Sequence, residues 1–277
     1  MDHPTPNDQW GLNGKVAIIT GGGAVGDGIG NGRAAAILMA RAGAHVLVVD
    51  RNLGFAERTV AIVTGEGGNA IAASYDVTVA AQCAEMVENA MQRWGRLDCV
   101  DNNVGIGGPK ATVVEETESG WATMMRVNLD SVFLVCKFAI PAMQKTGGGS
   151  IVNTSSVSTL RPHGLTAYST AKGAVHALTQ SMAVDHGPDG IRVNCVVPGP
   201  MYTPVVFANG MTPEARDARR RASVLGLEGN GWDVGMAVRF LLSTQARFIT
   251  GQILCVDGGV TLAGPERELS SSPYKDR

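Results

Sequence analysis

The chain has no excess of charge of either sign: 23 Lys and Arg face 25 Asp and Glu, a formal net charge of −2. No broad field exists to attract a phosphate backbone or an anionic lipid surface, which argues against nucleic-acid and membrane partners. Long hydrophobic runs are missing as well. No stretch approaches the roughly 18 uncharged apolar residues that a membrane-spanning helix needs. Met1–Gly14, with two prolines and three Asp or His residues, holds no apolar core of a secretory signal. The five cysteines, Cys83, Cys99, Cys136, Cys195 and Cys255, form no CxxC pair and no metal-ligand spacing. They read as reduced core residues, so no metal site is expected and the cytoplasm is the expected compartment. Repeats at a fixed period and long linkers are absent too.

What is present is core-forming sequence. With 277 residues and 44% hydrophobic content, the chain can bury one large core, near the upper end of what a single domain holds. Short apolar runs bounded by Gly, Asp or Asn alternate with helix-period segments from end to end, the pattern of a parallel sheet covered on both faces. The runs predict strands at Lys15–Thr20, His45–Asp50, Ala70–Tyr75, Leu97–Asn102, Ser150–Thr154, Arg192–Val197 and Gln252–Val256. Helices are predicted at Ile29–Ala42, Phe55–Gly65, Val79–Trp94, Glu118–Met143, Tyr168–His186 and Trp232–Ser243. Strands joined by helix-length connections imply an α/β fold, a single Rossmann-type doubly wound domain with a seven-stranded parallel sheet flanked by helices. The expected layout is an N-terminal arm over 1–14, a catalytic domain over 15–262 and a poorly packed tail over 263–277. Residues 198–231 break the rhythm, Pro-rich at first and then helical, with consecutive arginines at 219–221. A flap over the site and an ordinary solvated helix are both open readings.

Directly after the first strand comes Thr20-Gly21-Gly22-Gly23-Ala24-Val25-Gly26-Asp27-Gly28-Ile29-Gly30, opening into the helix-forming run Arg33–Leu38. Glycines let a backbone turn sharply and approach a pyrophosphate, whose charge the following helix N-terminus favours. A glycine cluster alone is most often a turn. Strand, glycine loop, helix and second strand in order make it a dinucleotide site, with Gly21, Gly28 and Ile29 as expected contacts. The second strand ends at Asp50, where a carboxylate accepts hydrogen bonds from ribose hydroxyls and repels a 2′-phosphate. NAD is therefore the expected cofactor. Arg51 next door keeps an alternative open, an NADPH-dependent carbonyl reductase. Asp76 and Val77, after the third strand, are placed to meet the adenine. In Asn102-Asn103-Val104-Gly105 the side-chain amides either tie strand ends together or line the adenosine pocket, with Asn102 and Gly105 the expected contacts.

Tyr168 and Lys172 stand four apart at the start of an amphipathic helix and share a face one turn apart. Alone, they read as a surface pair. An ammonium beside a phenol favours the phenolate and lowers a pKa of ~10, so that Tyr168 can exchange protons near neutral pH. The fifth strand, running into Asn153-Thr154-Ser155-Ser156, delivers a hydroxyl to the carboxyl edge of the sheet, where open α/β sheets bind ligands. Side chains alternate along a strand, so only one of Ser155 and Ser156 can face the pocket. Neither sits in a GxSxG elbow, which argues against a serine hydrolase. An apolar pocket is expected from Trp121, Val157, Leu165, Met201, Tyr202, Val205 and Phe207, with His163 as a possible polar contact.

In this order the glycine loop, Asn102-Asn103-Val104-Gly105, Tyr168-Ser169-Thr170-Ala171-Lys172, Pro198-Gly199, Ile249-Thr250-Gly251-Gln252 and Asp257-Gly258-Gly259 resemble the short-chain dehydrogenases/reductases, from about Lys15 to Gly259. The resemblance implies that Tyr168 exchanges the proton with the substrate oxygen and that Lys172 holds the nicotinamide ribose. It also implies that Ser156 orients substrate, that Asn128 supports a water-linked proton relay, and that Pro198, Gly199 and Thr203 contact the nicotinamide end. Ser156, His163, Tyr168 and Met201 are then the substrate contacts. The implied activity is NAD-dependent interconversion of a small-molecule secondary alcohol and a ketone, by a homotetramer with Glu118–Met143 and Tyr168–His186 as candidate interfaces. Enoyl reduction fits less well, because relatives with that activity space Tyr and Lys more widely. A catalytically silent dinucleotide sensor is the rival from another class, and it has no need of Asn128, Ser156, Tyr168 and Lys172 together. Three positions depart from the family pattern. The glycine loop holds six residues between Gly21 and Gly28 where three are usual, Asp101 puts a carboxylate in a normally apolar strand, and Ser156 lies one residue nearer Tyr168 than is common.

Overall fold

The computed structural model describes residues 8–208 and 210–262; the expected tail over 263–277 and the first seven residues of the expected arm lie outside the described residues. In chain order the elements are β1 (Val16–Thr20), α1 (Asn31–Arg41), β2 (His45–Asp50), α2 (Leu53–Gly65), β3 (Asn69–Ser74), α3 (Ala80–Trp94) and β4 (Cys99–Asn102). Then follow α4 (Glu118–Met125), a π turn (Arg126–Asp130), α5 (Ser131–Lys145), β5 (Gly149–Thr154), α6 (Thr166–His186) and β6 (Ile191–Pro198). The last are β7 (Met201–Tyr202), α7 (Pro204–Phe207), α8 (Pro213–Ala222), β8 (Gly229–Asn230), α9 (Gly231–Leu242) and β9 (Ile253–Val256).

Seven of these strands form one parallel sheet in the order β3-β2-β1-β4-β5-β6-β9. Alternation along each strand divides the apolar side chains between two cores. Val16, Ile18, Leu47, Val49, Val100 and Ile151 point to one, with Met86 and Val87 of α3 and Val135 and Ala139 of α5. Ala17, Ile19, Val46, Val48, Cys99 and Val152 point to the other, against α1, α2 and α9. Both faces are covered, so the strands read as continuous apolar runs. Helices α1 and α9 approach closely because Gly235 has no side chain: a Cβ there would lie 2.9 Å from Ala34. Chain order reverses between β1 and β4, and the crevice outside their carboxyl ends is where such sheets take ligands. Among the described residues no helix is long and apolar enough to cross a membrane.

Two departures from the sequence expectation have local causes. The predicted single helix Glu118–Met143 is two helices joined by a π turn around Asn128. The Asn128 amide donates to the Met124 carbonyl at 3.1 Å, satisfying a backbone acceptor inside the widened turn. The segment 198–231 is also more structured than a simple solvated helix. Short strands β7 and β8 pair in parallel, the Arg216 guanidinium lies 3.9 Å from the centre of the Tyr202 ring, and Glu228 receives Arg216 at 2.8 Å and Arg219 at 3.0 Å.

Two buried carboxylates, one just before β4 and one within it, have opposite consequences. Asp98 accepts the Val16 amide at 2.9 Å and both arms of Arg96 at 2.7 and 2.6 Å, and Lys15 lies 3.2 Å away. Burial alone would push its carboxyl up, but Arg96, the Val16 amide and Lys15 together hold it below the ordinary range. Asp101 lies in register between Ile19 and Val152 and is 1% exposed, and its Oδ1 has no hydrogen-bond partner. Burial pushes its pKa up to about 8. The unfolded carboxyl ionises near pH 4, so between pH 4 and 8 the unfolded chain holds fewer protons and stability falls as pH rises, levelling above 8. Asp101→Val is expected to raise stability by about 1–3 kcal/mol at pH 8 and to flatten the decline between pH 5 and 8. Thermal melts across that range check it, and an unchanged or lower melting temperature at pH 8 contradicts it.

Candidate active site

A cleft of about 1100 Å³ opens at the carboxyl edge of the sheet, running from the end of β2 past β1 and β4 to the segment after β6. A second cleft, of about 510 Å³, lies at the opposite edge beside Lys15 and Asp98; the Ser–Tyr–Lys group lines the first.

Of the residues expected in the site, Gly21, Asp50, Arg51, Asp76, Val77 and Gly105 line one half of the large cleft. Ser156, His163, Tyr168, Lys172, Pro198, Gly199, Met201 and Thr203 line the other. Of the expected apolar wall, Val157, Met201 and Val205 face the cleft, whereas Trp121, Leu165, Tyr202 and Phe207 do not line it. Tyr202 and Phe207 pack on each other, with ring centres 4.8 Å apart.

The glycine loop is built differently from the sequence expectation. Helix α1 begins at Asn31, with Gly30 as its N-cap and no side chain capping it. The first backbone N–H groups of the helix therefore have no intrahelical partner and face the cleft, whose lining includes Gly30, Asn31 and Gly32. A Cβ on Gly32 would collide with the Gly21 carbonyl oxygen, so the helix can enter only through glycine. Gly28 and Ile29, the expected contacts, are outside the lining; the Gly28 carbonyl is turned to Arg33 instead. The stretch that does line the cleft, Gly30-Asn31-Gly32, is found in the sequence by counting back from the alanine run. Counting forward from Gly21 crosses the lengthened loop and loses it.

Asn102 is likewise displaced from its expected role. Its amide is buried and donates to Asn153 Oδ1 at 2.9 Å, and Asn153 donates to Thr179 Oγ1 at 2.9 Å, a chain that ties β4, β5 and α6 together. Asn103 is the amide that reaches the loop, donating to the Gly21 carbonyl at 3.1 Å. At the end of β2, Asp50 accepts the Asn52 amide at 2.9 Å, and a Cβ on Gly23 would lie 2.7 Å from its Oδ2. The carboxylate is thus wedged against a glycine at the cleft wall. Asp76 accepts from the Thr78 amide and hydroxyl at 2.9 and 2.7 Å, and these bonds lower its pKa.

The chemical group lies where α6 meets the end of β5. Lys172, 2% exposed, donates from Nζ to the Thr154 carbonyl at 2.8 Å, and burial lowers its pKa to about 8. Ser155 donates from Oγ to the Lys172 carbonyl at 2.9 Å. Both serines line the cleft, but the Ser155 proton is committed to this bond, whereas the Ser156 hydroxyl accepts the Ser158 amide at 3.2 Å and keeps its proton to donate. Burial raises the Tyr168 pKa, and the Ser156 hydroxyl partly opposes that. The expected lowering by Lys172 is not what this geometry produces, because desolvation dominates at the phenol and the ammonium is bound to Thr154. Asn128, fully buried, accepts the Ile106 amide and donates to the Ile106 carbonyl, both at 3.1 Å. A Cβ on Gly105 would lie 2.9 Å from both Asn128 Oδ1 and Lys172 Nζ. Asn128 and Lys172 thus flank one glycine beneath the cleft floor. Gly199 packs against the turn at Asp257, whose carboxylate accepts from Gly259 and Thr261.

Residues 23–261 match the family model described as enoyl-(acyl carrier protein) reductase. The chain is similar to 2,5-dichloro-2,5-cyclohexadiene-1,4-diol dehydrogenase LinX of Sphingobium indicum, at 37% identity over 90% of this chain and 96% of that protein. It is similar to 2-(S)-hydroxypropyl-CoM dehydrogenase 3 of Xanthobacter autotrophicus, at 38% identity over 90% of this chain and 98% of that protein. Among solved structures, a short-chain dehydrogenase/reductase from Burkholderia xenovorans superposes with a TM-score of 0.87 at 37% identity, covering 92% of this chain and 100% of that one.

The two adjacent serines separate experimentally. Ser155→Ala is expected to cost about 0.5–1.5 kcal/mol of stability through its lost buried hydrogen bond. Ser156→Ala removes the acceptor of the Ser158 amide at 3.2 Å, so it is expected to cost a similar amount of stability and, unlike Ser155→Ala, to lower turnover by roughly a hundredfold. Melting curves and dehydrogenase rates for both variants check this; a turnover loss in Ser155→Ala instead would give the donating role to Ser155.

Proposed function

The chain belongs to the short-chain dehydrogenase/reductase family, and from that premise we propose that it interconverts a secondary alcohol and a ketone using NAD. The observation that carries this reading is that Ser156, Tyr168 and Lys172 together line one end of a cleft whose other end is walled by the Asp50 carboxylate. The residues fit a dinucleotide. The uncapped start of α1 at Gly30–Gly32 offers backbone N–H groups to a pyrophosphate. Asp50 offers acceptors to ribose hydroxyls, while Gly105, Pro198, Gly199 and Thr203 offer walls to the nicotinamide end. When bound, the nicotinamide supplies the hydride acceptor or donor.

The chain's own residues handle the proton and the orientation. In reduction Tyr168, held protonated by burial, gives its proton to the carbonyl oxygen and is resupplied through the water-linked relay at Lys172; in oxidation it accepts the hydroxyl proton as its own passes into that relay. Ser156 donates a hydrogen bond to the same oxygen and fixes its position. Lys172 supplies a positive charge beside the phenol and ribose donors, and Asn128 holds the loop through which a water-linked relay reaches Lys172. The four-residue spacing of Tyr168 and Lys172 supports alcohol chemistry over enoyl reduction. Val104, Ile106, Val157 and Val206 make the substrate end largely apolar, which supports an uncharged, medium-sized alcohol. Both named relatives act on substrates bearing a carbinol, the one a cyclic diol and the other a 2-hydroxypropyl group. We read residues 198–231 as a flap over that end. Exposed Phe133, Val184, Phe248 and Leu254 support a homotetramer, and four buried free cysteines support a reducing, cytoplasmic setting.

Tyr168→Phe is expected to bind NADH as the parent does and to lose turnover by at least about a hundredfold, measured by NADH absorbance with a panel of secondary alcohols. Parent-like rates in that variant contradict the mechanism. Asp50→Ala is expected to narrow the preference for NAD over NADP. A parent enzyme that prefers NADPH would instead favour the Arg51 reading, since that side chain also lines the cleft.

A further inference from the structure

Arg33, in the first turn of α1, is fully buried beneath the lengthened glycine loop. Its guanidinium donates to the Ala24 carbonyl at 3.0 Å, the Gly26 carbonyl at 2.9 Å and the Gly28 carbonyl at 2.7 Å. Its Nε donates to Thr59 Oγ1 at 3.0 Å, and the Thr59 hydroxyl donates in turn to the Gly22 carbonyl at 2.8 Å. A guanidinium can collect several carbonyls because its planar fork presents its N–H groups at fixed angles. Burial of such a cation without acceptors is costly, so each carbonyl that satisfies it is held in return.

The direction of these carbonyls decides the direction of the loop's amides. The described residues hold only trans peptides, and a trans peptide carries its C=O and its N–H on opposite sides. With the carbonyls of Ala24, Gly26 and Gly28 turned onto Arg33, the N–H groups of Val25, Asp27 and Ile29 are turned away from it. None of these three N–H groups meets a backbone acceptor among the described residues. Gly26, at a φ of +59°, supplies the left-handed step within the run. Ala24 and Val25 line the cleft together with Gly30, Asn31 and Gly32, so the loop and the uncapped start of α1 face one space. Asp27, the one acidic residue between Gly21 and Gly30, is exposed and outside that lining.

We propose that Arg33 sets the electrical sign of this loop: by drawing three carbonyls inward, it leaves amide N–H groups to face the phosphates of a bound dinucleotide. Arg33 itself does not line the cleft, so it is a positioning residue that acts through the loop. The proposal rests on the dinucleotide reading of the cleft. A buried carbonyl that loses its donor turns to find another, in practice water, and its peptide N–H turns with it. Carbonyl oxygens facing a pyrophosphate repel it, whereas a concavity of amide groups attracts it. The loss on removing Arg33 therefore falls on ligands that carry phosphate. Asp50, held by the Asn52 amide, keeps its place for the ribose.

The test is equilibrium binding to the parent and to Arg33→Met, with NADH followed by its fluorescence and with ADP and adenosine measured by the NADH they displace. Melting temperatures are taken alongside. Arg33→Met is expected to weaken NADH and ADP roughly tenfold, the strength of one charged hydrogen bond, and to leave adenosine within about twofold of the parent. Undiminished binding of NADH and ADP overturns the proposal. An equal loss for ADP and adenosine overturns it too, since Arg33 would then support the fold and not the phosphates. Should Arg33→Met fail to fold, Arg33→Lys, which keeps the cation without the planar fork, takes its place and is judged by the same outcomes. A parent protein that binds neither NADH nor NADPH overturns the dinucleotide reading itself, a failure visible before any variant is compared.

Discussion

Lys172 carries an ammonium into a place from which solvent is almost excluded, and such a charge persists only where the protein supplies its solvation. The Thr154 carbonyl supplies one bond, and its supply depends on β5 ending where it does. Ser155 fastens the same strand end to the Lys172 backbone, so strand and helix hold each other in register. Gly105 leaves room for the ammonium, and Asn128 holds the loop bearing that glycine through both hydrogen-bonding groups of Ile106. The π turn that presents Asn128 belongs to the same construction. Tyr168 and Ser156, the groups at the cleft surface, inherit their positions from this buried arrangement.

At the other end of the cleft the constraint is close approach. Gly32 against Gly21 and Gly23 against Asp50 are contacts in which any side chain would collide with backbone or carboxylate. They bring the start of α1 and the end of β2 to the same wall. The extra loop residues do not disturb this, because Arg33 collects their carbonyls and Thr59 fastens the turn before them. An insertion has been absorbed by one buried cation, and the core helix continues behind it unchanged. The same economy is absent at Asp101, where a buried carboxyl has an unpartnered oxygen and is raised by burial alone; nothing in the structure explains its presence.

Much of the architecture was legible in the chain itself. Apolar alternation and helix periodicity are local signals, and β2 appears at its predicted bounds while the other sheet strands shift by only one or two residues at an end. The Tyr168–Lys172 pair was legible because four residues on a helix always share a face. Asp50 was legible because a strand end after a glycine loop has one position in this topology. Which glycines of the loop line the cleft was not legible for a reason equally physical: residue spacing from Gly21 is meaningful only if the loop has its usual length.

What the sequence determined by itself, then, was the sheet, its covering helices and the face carrying the phenol and ammonium, all set by periodicities of a few residues. Contacts between distant segments were decided by the tertiary structure alone. Only packing could commit the Ser155 hydroxyl to the Lys172 carbonyl, or turn Asn102 inward and Asn103 to the glycine loop. Only packing could show that Gly28 makes room for Pro204, some 176 residues away in the chain. Hydrogen bonds and close contacts across such separations leave no periodic trace, because each depends on where the rest of the fold puts the partner.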